Sequence, residues 1–231
     1  AVQPAQKIQD LIGAQGFGAI RLNQRPDGSI ERLCREIILY TDLRSGEVLT
    51  EWQNPLNGET VKVVHVDNDP FNYLIEEYFP EPPKFGGLNQ EEPPPRVPFI
   101  LPWYQHGDWC EMEIHIHLAY PSALQPDKWP RESAQVSEYF AHHVKASDLQ
   151  NEKLTTLDYR GVWNRVTPWL PWMLMGQAPG FCQYNCFMGT TQNLEEIFNR
   201  SVLDYAEKNY AKYFDAPETW TGEPSLSSLE H

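Results

Sequence analysis

The sequence predicts a mainly β, antiparallel protein with one helix near its C-terminus, and three observations predict it. Short β-prone runs separated by Gly-containing turns fill residues 30 to 68. Apolar and ionisable residues alternate through CEMEIHIHL, residues 110 to 118, at the two-residue period of a strand. The 8 Trp and 11 Tyr in 231 residues suit pleated sheets, on which flat side chains pack well.

Taken in order, IERLCREIILYTD, EVLTEWQNP and TVKVVHVDND are separated by LRSG and LNGE, a spacing that predicts three consecutive hairpin strands. After Asp69-Pro70 the proline density of residues 79 to 98 forbids ladder pairing and predicts an extended loop, either a lid or an inert connection. Strands are expected to resume at FILPWYQ, WCEMEIHIHLAYP and VSEYFAHHVKASDL. In GVWNRVTPWLPWMLMG two prolines break any long helix, and GFCQYNCFMGT reads as a late strand. The run NLEEIFNRSVLDYAEKNYAKYF places apolar residues at helical spacing, opened by Asn193 as cap with Glu195 and Glu196 in the first turn. Length favours one domain over residues 1–228, with Leu229-Glu230-His231 read as a tag remnant.

Charge narrows the partners. With 32 acidic and 18 basic residues the chain carries a formal charge of -14, which repels phosphate backbones and argues against nucleic acid. It also argues against an acidic substrate. No apolar run reaches 18 residues, and AVQPAQKIQD lacks the basic start and apolar core of a signal peptide, so a soluble protein with no membrane partner is expected. Cys34, Cys110, Cys182 and Cys186 form no CxxC pair. They read as reduced thiols and point to a cytoplasmic home.

REIILYTDLRSGEVLTEWQNPLNGETVKVVHVDNDP resembles the arginine-glutamate strand, tryptophan-asparagine-proline turn and histidine-containing strand of the family called domain of unknown function 1838. WPRESAQVSEYF and WNRVTPWLPWMLMGQAPG resemble the second half of the same family, and the likeness covers roughly residues 16 to 222. It implies a mostly antiparallel, barrel-like fold around a pocket, of lipocalin or calycin type, and carries no established reaction.

On a strand over residues 110 to 118, Glu111, Glu113, His115 and His117 share one face. If that face lines a barrel cavity, the carboxylates and imidazoles must pair, take up protons or hold a metal. If it faces water on an open sheet, it needs none of these. The cavity reading makes His115 and His117 acid and base, with Glu113 orienting one ring and His65 or His106 completing the cluster. Tyr104, Arg35 and Arg165 are then candidates for binding a substrate oxygen, although Arg165 in WNRVTPW equally suits a structural anchor. Trp163, Trp169, Trp172 and Met173 read as core, or as the wall of a pocket for an apolar aromatic or cyclic molecule.

The leading expectation is an acid–base lyase, hydratase or isomerase that needs no cofactor. The alternatives are a small-molecule carrier and a metal-dependent oxygenase using the His115/His117 pair. No GxGxxG, Walker or GxSxG motif supports nucleotide redox chemistry, phosphoryl transfer or serine hydrolysis. The aromatic surplus is compatible with a homodimer.

Overall fold

The structure, a computed structural model, describes residues 9–78, 98–121, 133–176 and 178–220. Most of the proline-rich 79–98 segment and the C-terminal tag residues lie outside this set. Strand β1 (Gly13–Gln24) and strand β2 (Ile30–Thr41) form a hairpin of twelve pairs, from Gly13 opposite Thr41 to Gln24 opposite Ile30. The turn closes because Gly28, at φ +90, donates to the Arg25 carbonyl, while the Asp27 side chain accepts from the Ser29 amide. β1 escapes the sequence pattern because Gly13, Gly16 and Gly18 dilute its alternation. A Cβ at Gly16 would strike the Ile37 carbonyl, so the glycine lets β1 lie tightly on β2.

The three expected hairpin strands do not form a single meander. Among the described residues β3 (Glu51–Gln53) and β4 (Thr60–Lys62) pair only with each other, whereas β5 (Val66–Asn68) returns to β2. The break falls at His65, whose ring accepts the Tyr40 backbone amide at 3.1 Å and so replaces a ladder bond with a side-chain one. β6 (Tyr73–Ile75) pairs with the other end of β2.

A second sheet runs β11-β10-β9-β8-β7, all antiparallel, from β7 (Tyr104–His106), β8 (Trp109–Pro121), β9 (Ser133–Lys145), β10 (Arg160–Thr167) and β11 (Cys182–Gly189). One helical turn, α1 (Ala146–Leu149), follows β9. Pro168 and Pro171 end β10 and start a 3-10 turn over Pro171–Met173. The predicted long C-terminal helix is divided. Asn193 caps a 3-10 turn at Leu194–Glu196, α2 spans Arg200–Asn209, and a last 3-10 turn covers Ala211–Phe214. Ile197, counted on the apolar stripe, is exposed, and the buried stripe is Val202, Leu203 and Ala206.

β2 is covered on both faces. Its odd-numbered residues Ile37 and Leu39 pack on Val202, Ala206 and Tyr213. Its even-numbered residues Arg32, Cys34, Glu36, Ile38 and Tyr40 look towards the five-stranded sheet, with Tyr40 and Tyr184 joined hydroxyl to hydroxyl at 2.9 Å. Tyr40, Trp52, Val61, Val63, Leu170, Trp172, Met173 and Met175 form the core at that end, tied by the Asn54 amide donating to the Met173 carbonyl.

The expected barrel is corrected: among the described residues no ladder joins the two large sheets. β1 and β11 each end a sheet, and side chains such as Tyr40 and Tyr184, not backbone bonds, bridge the gap. No helix among the described residues is long and apolar enough to cross a membrane.

Candidate active site between the sheets

Register decides which residues meet. Opposite the even face of β2, the five-stranded sheet presents Met112, Ile114 and Ile116 of β8, Glu138, Phe140 and His142 of β9, Trp163 and Arg165 of β10, and Tyr184 and Cys186 of β11. Their rings form a continuous wall. Tyr184 lies 5.5 Å from Trp163, Trp163 stacks on Phe140 at 6.1 Å, Phe140 on His142 at 6.4 Å, and His142 meets Tyr159 at 5.0 Å.

Within this wall Glu138 is held twice. Arg165 Nη1 lies 3.2 Å from its Oε1, and the indole Nε1 of Trp163 donates to its Oε2 at 3.1 Å. Glu36 belongs to the same interior from the β2 side, where Asn68 Nδ2 donates to its Oε1 at 2.5 Å. Burial holds the Glu36 carboxyl above the usual carboxylate range. The Asn68 hydrogen bond and the charges of Arg32 and Arg165 oppose that rise, while the charge of Glu138 adds to it. Burial also raises the Tyr40 phenol to about 12 and pushes Tyr184 well above its ordinary value. These hydroxyls therefore remain neutral hydrogen-bonding groups at neutral pH. His142 is held below the ordinary imidazole range, mainly by burial, and its Nδ1 is buried without a partner among the described residues.

The expected site residues divide between this interior and three other places. Arg165 and Trp163 are here. Trp172 and Met173 belong to the adjoining core, and Trp169 packs beside it with its indole donating to the Ala178 carbonyl. Glu113, His115 and His117 lie on the outer face of β8: Tyr139 donates to Glu113, His115 is 3.8 Å from Glu113, and His117 meets Ser137 at 3.1 Å. Tyr104 and His106 are exposed on β7. His65 lies elsewhere, buried beside Tyr40, Tyr205 and Tyr210, so the four expected histidine and carboxylate partners do not converge. Arg35 points to the other face of β2, where it binds Asp69 at 2.8 Å and the Asp215 carbonyl at 2.9 Å, clamping the C-terminal segment. Among the described residues no three His, Cys, Asp or Glu side chains converge on a metal position.

Sequence reading missed Glu36, Glu138, Tyr40 and Tyr184, and of the His142-His143 pair, which must send one ring to each face, it favours His143 as the inward ring. The available indication was parity: Glu36 shares a strand face with Cys34, Ile38 and Tyr40, and in the His142-His143 pair one ring must point inward. The inward ring is His142, while His143 sits 3.3 Å from Glu111 on the outer face.

Fold and site together define a mainly β protein in which two antiparallel sheets face each other across an aromatic-walled interior that holds Glu36, Glu138 and Arg165. A family model matches residues 1–231, and the chain belongs to the family described as Protein of unknown function (DUF1838). No curated protein and no solved structure matches it.

Proposed function

We propose that the chain is an acid–base enzyme of lyase, hydratase or isomerase type, acting on an aromatic or cyclic small molecule between the two sheets. The observation that carries this reading is the pair of carboxylates in unlike surroundings. Glu36 is bonded by the neutral Asn68 amide and favours its protonated form, while Glu138 is ion-paired with Arg165. Two carboxyl groups set apart in this way divide naturally into a proton donor and a proton acceptor. Glu36 is the acid, Glu138 the base, and Arg165 steadies negative charge developing on a substrate oxygen. Trp163 and Phe140 supply flat apolar contact for a ring.

The test incubates wild-type protein, Glu36→Gln, Glu138→Gln and the double variant His115→Ala/His117→Ala in D₂O with a pool of cyclic ketones, enols and hydroxy acids. Mass spectrometry reads deuterium uptake and product. Loss of either carboxylate should slow conversion by about 10²–10⁴-fold, and the double histidine variant should stay within about twofold of wild type. Conversion that survives both Gln variants, or that fails in the histidine variant, overturns the assignment. Binding without conversion by wild-type protein favours a carrier.

A further inference from the structure

Arg32 is the interior cation that the acid–base group leaves unused. Four arginines among the described residues are half-buried: Arg25, Arg32, Arg35 and Arg165. Three have a carboxylate, Arg25 with Glu31 at 2.6 Å, Arg35 with Asp69 at 2.8 Å and Arg165 with Glu138 at 3.2 Å. Arg32 has no carboxylate at ion-pair distance among the described residues, although its charge acts on the Glu36 carboxyl. Its Nη1 donates to the Phe71 carbonyl at 3.2 Å, and its guanidinium carbon lies 4.8 Å from the Tyr73 ring centre and 5.7 Å from that of Phe71. A half-buried guanidinium held by one carbonyl, two ring faces and the neighbouring Cys34 thiol still keeps N–H donors to spare, in a fork that matches a planar carboxylate.

The residues beside it are apolar and uncovered. Register sets Leu22 against Arg32 and Ile20 against Cys34 on the inward face of β1, and they are 61% and 52% exposed. A ligand with one carboxylate and a ring system would satisfy both features at once. Glu36 follows four residues along the same face, a strand distance of about 13 Å. Long side chains at both positions shorten that span, so a two-ring acid reaches from one to the other.

We infer that Arg32 anchors the carboxylate of a two-ring or similarly extended organic acid, with the ring system lying on Ile20 and Leu22 and the reacting carbon directed to Glu36. This rests on the acid–base reading above and adds the substrate class to it. The formal charge of -14 does not oppose the assignment, because charges more than about 8 Å apart are largely screened at physiological ionic strength and the local guanidinium decides. The inference departs from the expectation against an acidic substrate, which rests on overall charge and not on a local count of partners.

The experiment measures binding of 2-naphthoate and its neutral counterpart 2-naphthamide by calorimetry to wild-type protein, Arg32→Gln, Arg32→Lys and Glu36→Gln, each with a folding check by far-UV circular dichroism. Wild-type protein should prefer the acid by about tenfold or more, as expected for a hydrogen-bonded charge. Arg32→Gln should abolish that preference while leaving the amide within about twofold, Arg32→Lys should restore part of it, and Glu36→Gln should keep it. Equal affinity for acid and amide, no binding of either by wild type, or a preference that survives Arg32→Gln overturns the inference. If that happens while Glu36→Gln still abolishes conversion, the anchor alone is wrong. If Arg32→Gln loses the preference while Glu36→Gln converts substrate normally, the acid–base reading alone is wrong.

Discussion

The five-stranded sheet carries ionisable residues on both faces, and water treats the two faces differently. Outside, Glu113 and His115 approach to 3.8 Å with side chains 41% and 57% exposed. Inside, Glu138 and Arg165 approach to 3.2 Å with side chains 13% and 23% exposed. Both pairs sit on the same sheet, placed by the same two-residue period. The outer one is solvated and screened, so breaking it strands nothing. The inner one has given up water, and each member depends on the other for compensation. Alternation along a strand therefore locates a face bearing charge, and whatever packs over that face decides whether the charge is available for chemistry.

Removing one member of each pair is the most direct way to break this comparison. Glu138→Ala leaves Arg165, whose Nε already lacks a partner among the described residues, uncompensated in the interior. The expected loss is about 3 kcal/mol, read from urea unfolding, and Glu138→Ala/Arg165→Met should recover much of it. Glu113→Ala should cost less than about 1 kcal/mol. Similar losses at the two positions would mean that the faces do not differ in solvation.

A buried imidazole sharpens the contrast with the exposed ones. Burial depresses His65 to about 4, against an ordinary value of 6.5, with the Asp67 charge opposing the shift. The folded protein thus resists a proton that the unfolded chain takes up. Stability should fall as pH drops from 6.5 through 4, by a total on the order of 3 kcal/mol for a shift of this size. Gln at this position can still accept the Tyr40 amide, so His65→Gln should flatten the pH dependence of the urea midpoint between pH 7 and 4. An unchanged slope would remove His65 as its source.

Glu36 works in the opposite direction. Its folded form holds the proton more tightly than the unfolded chain, so wild-type stability declines as pH rises above 4.5 and through the higher folded value. Glu36→Gln should therefore gain on wild type between pH 4 and pH 8 in thermal unfolding while conversion is lost. A variant that loses ground with rising pH would show that Glu36 is stabilised as the anion.

Strand β8 was readable in the sequence because polar and apolar residues separate cleanly when one face is solvated. β2 was readable as a strand but not as half of a site. Both of its faces are covered, one by α2 and one by the opposite sheet, so Arg35 and Glu36 look equivalent in sequence although one clamps the C-terminal segment and the other enters the interior. Trp172 and Met173 are open in the sequence to a core or a pocket-wall reading, because apolar density alone does not choose between them, and the structure buries both in a hydrophobic cluster. That Glu36 and Glu138 share one interior was not readable, because it depends on how two sheets from distant parts of the chain face one another, which periodicity within a strand does not encode.

The smallest effect is expected where the sequence pattern is most conspicuous. His115 and His117 are exposed, and their contacts run to Glu113, Tyr139 and Ser137 on the outer face. His115→Ala/His117→Ala removes contacts made in water, and exposed substitutions of this kind shift stability by no more than about 0.5 kcal/mol each. Thermal unfolding should place the double variant within a few degrees of wild type at pH 7, where Glu138→Ala is clearly lower. A loss comparable to that of Glu138→Ala would mean that the outer histidines are shielded from water in solution. The two faces would then have to be regarded as two interiors, and the outer row of carboxylates and imidazoles would regain its claim to chemistry.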